Sequence, residues 1–168
     1  MGTRCLFALP RLREKIDGVV MQITFTKRNG KYDRMSVLRD DGSRDEIDCP
    51  KQRIIPHEMV HFAVESTLRK RGFMSRVRDG EAVDVRMAPD AESDGVERLV
   101  EVFQGDAWSG GATPIAEMLD LYLVTCRERA CPPLAVTPED MLAIRSRIEE
   151  LDREWQALAT GSAMSVSM

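Results

Sequence analysis

The sequence predicts an α+β fold: an antiparallel sheet, built from an N-terminal meander plus a C-terminal strand, packed by about four helices. Three observations carry that expectation. From Met21 the residues alternate apolar and polar with period two. Behind Pro56, Pro114 and Pro138, apolar residues instead recur every three or four positions. The last stretch, with Met164, Val166 and Met168, returns to period two. Strand and helix periods that occupy separate blocks, rather than alternating, point to α+β.

Along the chain, residues 1–20 read as an N-terminal extension and 21–168 as a single domain. Arg4 precedes a short apolar patch, Cys5 to Pro10, which runs straight into Arg11, Arg13, Glu14 and Lys15. That patch is shorter than the roughly 7–15 residues of a signal-peptide core. No turn chemistry separates it from the following strand, so Met21 is a candidate start of translation. An intact peptide from residues 1–20 in mass spectra of the native protein would remove that idea.

Met21, Ile23 and Phe25 alternate with Gln22, Thr24 and Thr26, as in a half-buried strand. Asn29-Gly30 then carries the signature of a type I′ hairpin, which needs positive φ at both central residues. A second strand follows with Met35 and Val37 on one face and ends at Asp41-Gly42, and a short third one is expected around Arg44 to Ile47. Pro56 opens a helix where its missing N–H costs nothing. That helix is expected to run to about Lys70 and stop at Gly72, with Arg69, Lys70 and Arg71 at its negative end. The basic cluster reads as a solvated terminus or, alternatively, a phosphate-binding patch.

Residues 79–95, acidic and broken by Gly80, Pro89 and Gly95, read mostly as loop. A short helix with Val96, Leu99, Val100 and Phe103 on one face should follow. Thr113-Pro114 starts another, with Ile115, Met118, Leu119, Tyr122, Leu123 and Cys126 on its apolar face. Thr137-Pro138-Glu139-Asp140 is a capping-box-like start. Behind it, Met141, Ile144, Ile148, Leu151, Trp155 and Leu158 form a continuous core stripe that Gly161 ends.

Composition narrows the function classes. The 168 residues are 43% hydrophobic, with 24 basic and 28 acidic side chains and a net charge of −4. That is enough chain for one real core. Mild acidity (pI near 5.3) argues against nucleic acid as a partner. No apolar run approaches the ~20 residues of a membrane span. Cys5, Cys49, Cys126 and Cys131 are too few and too scattered for a disulfide scaffold, and read as ordinary thiols of a cytoplasmic protein.

The chain's two histidines fall in one motif, His57-Glu58-Met59-Val60-His61. On a helix, four residues rise about 6 Å and turn about 400°, so both imidazoles leave one face and can meet on one ion. Glu58 sits about 100° round, where it could take a proton from a water on that ion. The same stripe holds Val64 and Leu68, so both rings face the interior and need partners. A zinc ion would satisfy them, and so would hydrogen bonds within the core.

A catalytic zinc needs a third protein ligand. Glu65 lies about 12 Å along the axis from His57, too far to share the ion. It is placed either to orient His61 or to pair with Arg69. Glu97 and Glu101 on the next helix are candidates, and Glu97 stands closer to the apolar stripe, about 110° from its centre against about 150°. Glu117 and Asp120 are further options.

Two resemblances meet at this helix. The HExxH pattern resembles zincin metallopeptidases of the gluzincin type, in which a glutamate on a downstream helix completes the site. That resemblance implies His57 and His61 as metal ligands, Glu97 as the third, Glu58 as general base, and a peptide or protein as substrate. The second covers nearly the whole chain from Met21. A strand like Met21-Gln22-Ile23-Thr24-Phe25-Thr26-Lys27 opens it. Then comes a helix like His57-Glu58-Met59-Val60-His61-Phe62-Ala63-Val64-Glu65, and it closes like Trp155-Gln156-Ala157-Leu158 through Gly161 to Met168. These features resemble a family of small uncharacterised bacterial proteins, whose members often carry Asp at the position of Glu58. It implies the fold and the Met21 start, and names no reaction. Two functional expectations follow: a zinc-dependent hydrolase, or a protein-interaction module in which the histidine helix is structural.

Overall fold

The computed structural model describes residues 21–81 and 90–168. The expected extension at 1–20, and residues 82–89 of the expected loop at 79–95, lie outside them. The strands are β1 (Gln22–Thr26), β2 (Tyr32–Leu38), β3 (Arg44–Pro50) and β4 (Ala163–Ser167). The helices are α1 (His57–Leu68), α2 (Phe73–Arg78), α3 (Ala91–Trp108), α4 (Ile115–Glu128) and α5 (Pro138–Ala157). The fold is α+β, with one antiparallel sheet in the order β3-β2-β1-β4.

Alternation decides which face of the sheet is buried. Ile23 pairs with Val37 and Val166, and Phe25 with Met35 and Met164, so one face is a continuous apolar surface. The opposite face carries Thr24, Ser165, Arg34, Glu46 and Asp48, with Arg34 bridging the two acids at 2.7 and 3.3 Å. The C-terminal strand returns beside β1, as its period implied. Lys27 fastens that return, donating to the Trp155 carbonyl at 2.9 Å, while the Lys27 N–H meets the Ser162 carbonyl.

α1 is the centre of the molecule, packed against α3 and α5 and abutting β3. Residues Met59 through Glu65 are all buried, so the helix is covered all round rather than on one stripe. Two of those residues, His61 and Glu65, are polar, and the site grows from that fact.

Several boundaries differ from expectation for identifiable reasons. Asn29 does not take the positive φ a type I′ turn needs; only Gly30 does, at 86°. The β1–β2 connection is instead a wider loop, held by the Arg28 N–H donating to Asp33 Oδ1 at 2.8 Å. β3 continues past Ile47 to Pro50. α1 stops at Leu68 because Arg69 turns left-handed, φ 54°. α2 is a fifth helix, added to the four expected. α3 begins at Ala91, within the supposed loop, because Asp90 caps it: its carboxylate accepts from Glu92 and Ser93 N–H, and the Ser93 hydroxyl bonds back to Asp90 N–H. On α4, Met118, Tyr122 and Cys126 are buried, but Leu123 is half exposed. Among the described residues, no helix is long and apolar enough to cross a membrane.

Candidate metal centre

α1 and α3 run side by side, and their facing polar side chains meet at one place. His57 and His61 come from α1, and Glu97 from the second turn of α3. One ligand atom from each lies within 4.8 Å of the others, close enough to hold a metal ion. His61 Nε2 is 3.0 Å from Glu97 Oε2, and His57 Nε2 is 3.9 Å from Glu97 Oε1. The two rings stand edge to face, 4.8 Å between centroids. Glu101, one turn on, is not part of the group and pairs with Arg98 at 2.9 Å. Glu117 and Asp120 are exposed on α4 and do not join the group.

The other ring nitrogens have outer partners. His57 Nδ1 meets Gln104 Oε1 at 3.1 Å, and the Gln104 amide donates to Gln52 Oε1. Gln104 lies seven residues after Glu97, two turns along the same face of α3. That i,i+7 spacing is the signal in the sequence that points to it. His61 Nδ1 stands 3.5 Å from Glu65 Oε1, an ion-pair contact too poorly aligned to be a hydrogen bond. Phe73 of α2 closes over the His61 ring, with centroids 5.5 Å apart.

Glu65 itself is fully buried and strongly engaged. Its Oε1 accepts from Met74 N–H at 2.9 Å, and its Oε2 from Gly72 N–H, Ser75 N–H and the Ser75 hydroxyl at 3.1, 2.9 and 2.9 Å. A carboxylate at the start of a helix satisfies its orphan N–H groups and meets its positive end. α2 has no local side-chain cap, so α1 supplies one across the turn. This is why a six-residue helix forms there, and why Glu65 makes no pair with Arg69. Gly72 is required by the same packing: a Cβ there would lie 2.6 Å from Glu65 Oε1 and 2.7 Å from Val96 Cγ1.

Charge follows geometry. Burial would depress the His61 pKa, but the Glu65 and Glu97 carboxylates on either side of the ring override it and raise it to about 9. Burial likewise opposes ionisation of Glu97, yet the His61 hydrogen bond and the charges of His61 and His57 hold it down to about 2. Without a metal, these residues therefore make an imidazolium–carboxylate clasp. Its inner end is sealed, with the His61 side chain 4% exposed, and its outer end is open, with His57 at 29% and Glu97 at 35%.

Glu58 occupies the neighbouring position on the first turn of α1. It lies against the Cys49 thiol of β3, whose pKa burial pushes far up and the Glu58 charge pushes further. Its Oε2 is buried with no hydrogen-bond partner. A buried acceptor without a donor is unusual and accommodates a bound water or a protonated group. The basic cluster resolves into ion pairs: Lys70 with Glu92 at 3.2 Å, and Arg71 with Asp79 and Glu81. A cavity of about 270 Å³ opens further along α3, lined by Ile55, Phe103, Asp106, Ala107, Arg145 and Ile148 rather than by the histidines. There Arg145 is paired with Asp106 at 3.1 Å, and its guanidinium also donates to the Thr113 carbonyl.

Cys49, Cys126 and Cys131 are free and buried. No protein-family model matches the chain, and no curated protein or solved structure matches it significantly.

Proposed function

We propose that the protein binds one zinc ion through His57, His61 and Glu97 and uses it to hydrolyse a peptide or related amide. One observation carries the reading: three ligand atoms of the kinds zinc prefers lie within 4.8 Å on two packed helices. The outer partners support it. Gln104 at His57 Nδ1 and Glu65 at His61 Nδ1 leave Nε2 of each ring as the inward-facing nitrogen. A zinc ion bound there supplies Lewis acidity, polarising a carbonyl and lowering the pKa of a water. The chain's own residues do the rest. His57 and His61 hold the ion, Glu97 balances its charge, and Glu58 accepts the water's proton with an oxygen that has no other donor. The resemblance to gluzincin-type zincins rests on the same residues. Three buried, unpaired cysteines fit a reducing compartment, the cytoplasm.

A second reading has its own support. The 3.0 Å contact of His61 with Glu97 satisfies both groups without a metal, as expected of a structural clasp in a protein-interaction module. Metal analysis of protein purified without a histidine tag separates the two. The hydrolase reading expects close to one zinc per chain, lost in His57→Ala. Zinc below about 0.1 per chain, unchanged by that substitution, sinks it and leaves the clasp. With zinc present, Glu58→Gln should keep the metal and abolish cleavage of a quenched-fluorescent peptide library. Unchanged turnover would remove Glu58 as the base.

A further inference from the structure

α4 ends in a specific way. Ala130 turns left-handed at φ 52°, Cys131 N–H donates to the Cys126 carbonyl at 3.0 Å, and Ala130 N–H to the Arg127 carbonyl at 3.1 Å. These two bonds define a Schellman stop, which brings the side chain three positions inside the helix against the one two positions past its end. Hydrocarbon side chains usually fill that contact. Here both are thiols, free and buried, with Cys126 1% and Cys131 8% exposed. The backbone around them is pinned. The Tyr122 hydroxyl accepts from Leu134 N–H at 2.8 Å and donates to the Gly95 carbonyl, which holds the segment after Cys131 against α3.

We propose that Cys126 and Cys131 are a dithiol site that closes reversibly to an intrachain disulfide when a peroxide reaches it. A backbone stop that folds Cys131 back onto Cys126, its N–H bonded to the Cys126 carbonyl, sets the two side chains on one side of the helix end, the placement a disulfide needs. The two thiols have unequal roles. Burial lifts the Cys126 thiol to about 11, so it stays protonated at neutral pH, and Cys131, 8% exposed against 1%, is the less deeply buried of the two. The Cys131 thiolate attacks one oxygen of hydrogen peroxide and the O–O bond breaks. Cys131 becomes a sulfenic acid, and the departing hydroxide takes up a proton to leave as water. The Cys126 sulfur then attacks the Cys131 sulfur. The S–S bond forms, the S–O bond breaks, and the Cys126 proton leaves with the hydroxide as a second water. Two thiols have lost two electrons and two protons, and one peroxide has become two waters. A small-molecule dithiol reverses the step by exchange.

The test uses the full-length, untagged chain. Reduced protein is treated with hydrogen peroxide, denatured, blocked with iodoacetamide and digested with trypsin. Arg127 and Arg129 lie between the two cysteines, so cleavage converts the bridge into two peptides joined by a disulfide. The expected main oxidised species is that joined pair, abolished by dithiothreitol, with Cys49 recovered as the alkylated thiol. Cys131→Ser, or Cys131→Ala should the serine variant fold poorly, should remove the pair and leave Cys126 as a thiol. Three results overturn the proposal. Cys131 recovered as sulfinic or sulfonic acid beside an intact Cys126 thiol is one. Bridges to Cys5, Cys49 or a second chain are another, and both thiols surviving peroxide is the third.

Discussion

The two ends of the polar stripe on α1 use the same residue types differently. At the Glu65 end a fully buried carboxylate accepts four hydrogen bonds from Gly72, Met74 and Ser75 at the start of α2. At the Glu97 end a carboxylate about a third exposed stands between two imidazole nitrogens, 3.0 and 3.9 Å away, with room left to bind something else. The saturated end is architecture and the unsaturated end is available for chemistry. His61 joins them, touching Glu65 through Nδ1 and Glu97 through Nε2.

The hardest way to break that contrast is to remove the saturated carboxylate. Glu65→Ala leaves three buried N–H groups without acceptors and should cost about 3–5 kcal/mol, read from the midpoint shift in denaturant unfolding. A loss below about 1 kcal/mol would mean the four bonds are not structural. Gly72→Ala attacks the same end from the other side, because its methyl would lie 2.6 Å from Glu65 Oε1. Overpacking of this kind should cost about 1–3 kcal/mol.

Ligand and pH act on the open end. Zinc at a hundredfold excess over its Kd should stabilise the protein by about 2.7 kcal/mol, and His57→Ala should abolish that gain. His57 is the part-exposed member of the pair, so the variant itself should fold. The pH dependence separates clasp from metal. In the metal-free protein the raised His61 pKa contributes stability fully present below about 6.5 and lost as pH rises through about 9. The depressed Glu97 pKa contributes stability present above 4.5 and lost as pH falls through about 2. The clasp is therefore strongest between those limits, near pH 4.5–6.5. Zinc needs His61 deprotonated, so its stabilisation should instead grow with pH and release a proton on binding. Thermal unfolding across pH, with and without zinc, reads both slopes. Identical slopes would leave the metal reading without support.

How legible this was follows from the range of each signal. Period-two strands, the long α5 stripe and the return of β4 could be read because each is a local pattern answering one buried face. Glu97 was preferred over Glu101 for the same reason, since an angle on a helix needs no knowledge of the partner. α2 could not be read. Its cap is Glu65, at least seven residues back and on another helix, and nothing local to Gly72 announces it. The Asp90 cap was missed because Ser93, rather than Glu or Gln, closes its box, and because Gly95 looked like a breaker. Gly95 is instead a contact: a Cβ there would lie 2.9 Å from Leu134 Cγ. Gln104 is legible only through its partner, since its spacing two turns after Glu97 becomes a signal only once His57 Nδ1 is placed against it.

The finest test of the contrast lies within α3. Glu97 and Glu101 are one turn apart, yet only the first joins the histidines. Glu101 is 38% exposed and pairs one turn back with Arg98, whose side chain is only 11% exposed. Glu101→Gln keeps a side-chain oxygen to accept from Arg98, so it should cost no more than about 1 kcal/mol and leave zinc affinity untouched. Glu97→Gln removes the charge that faces both Nε2 atoms and should weaken zinc binding by one to two orders of magnitude or more, while the helix stays formed. Isothermal titration with zinc gives both numbers. Equal losses in the two variants would mean that general acidity of α3, and not one placed carboxylate, attracts the ion.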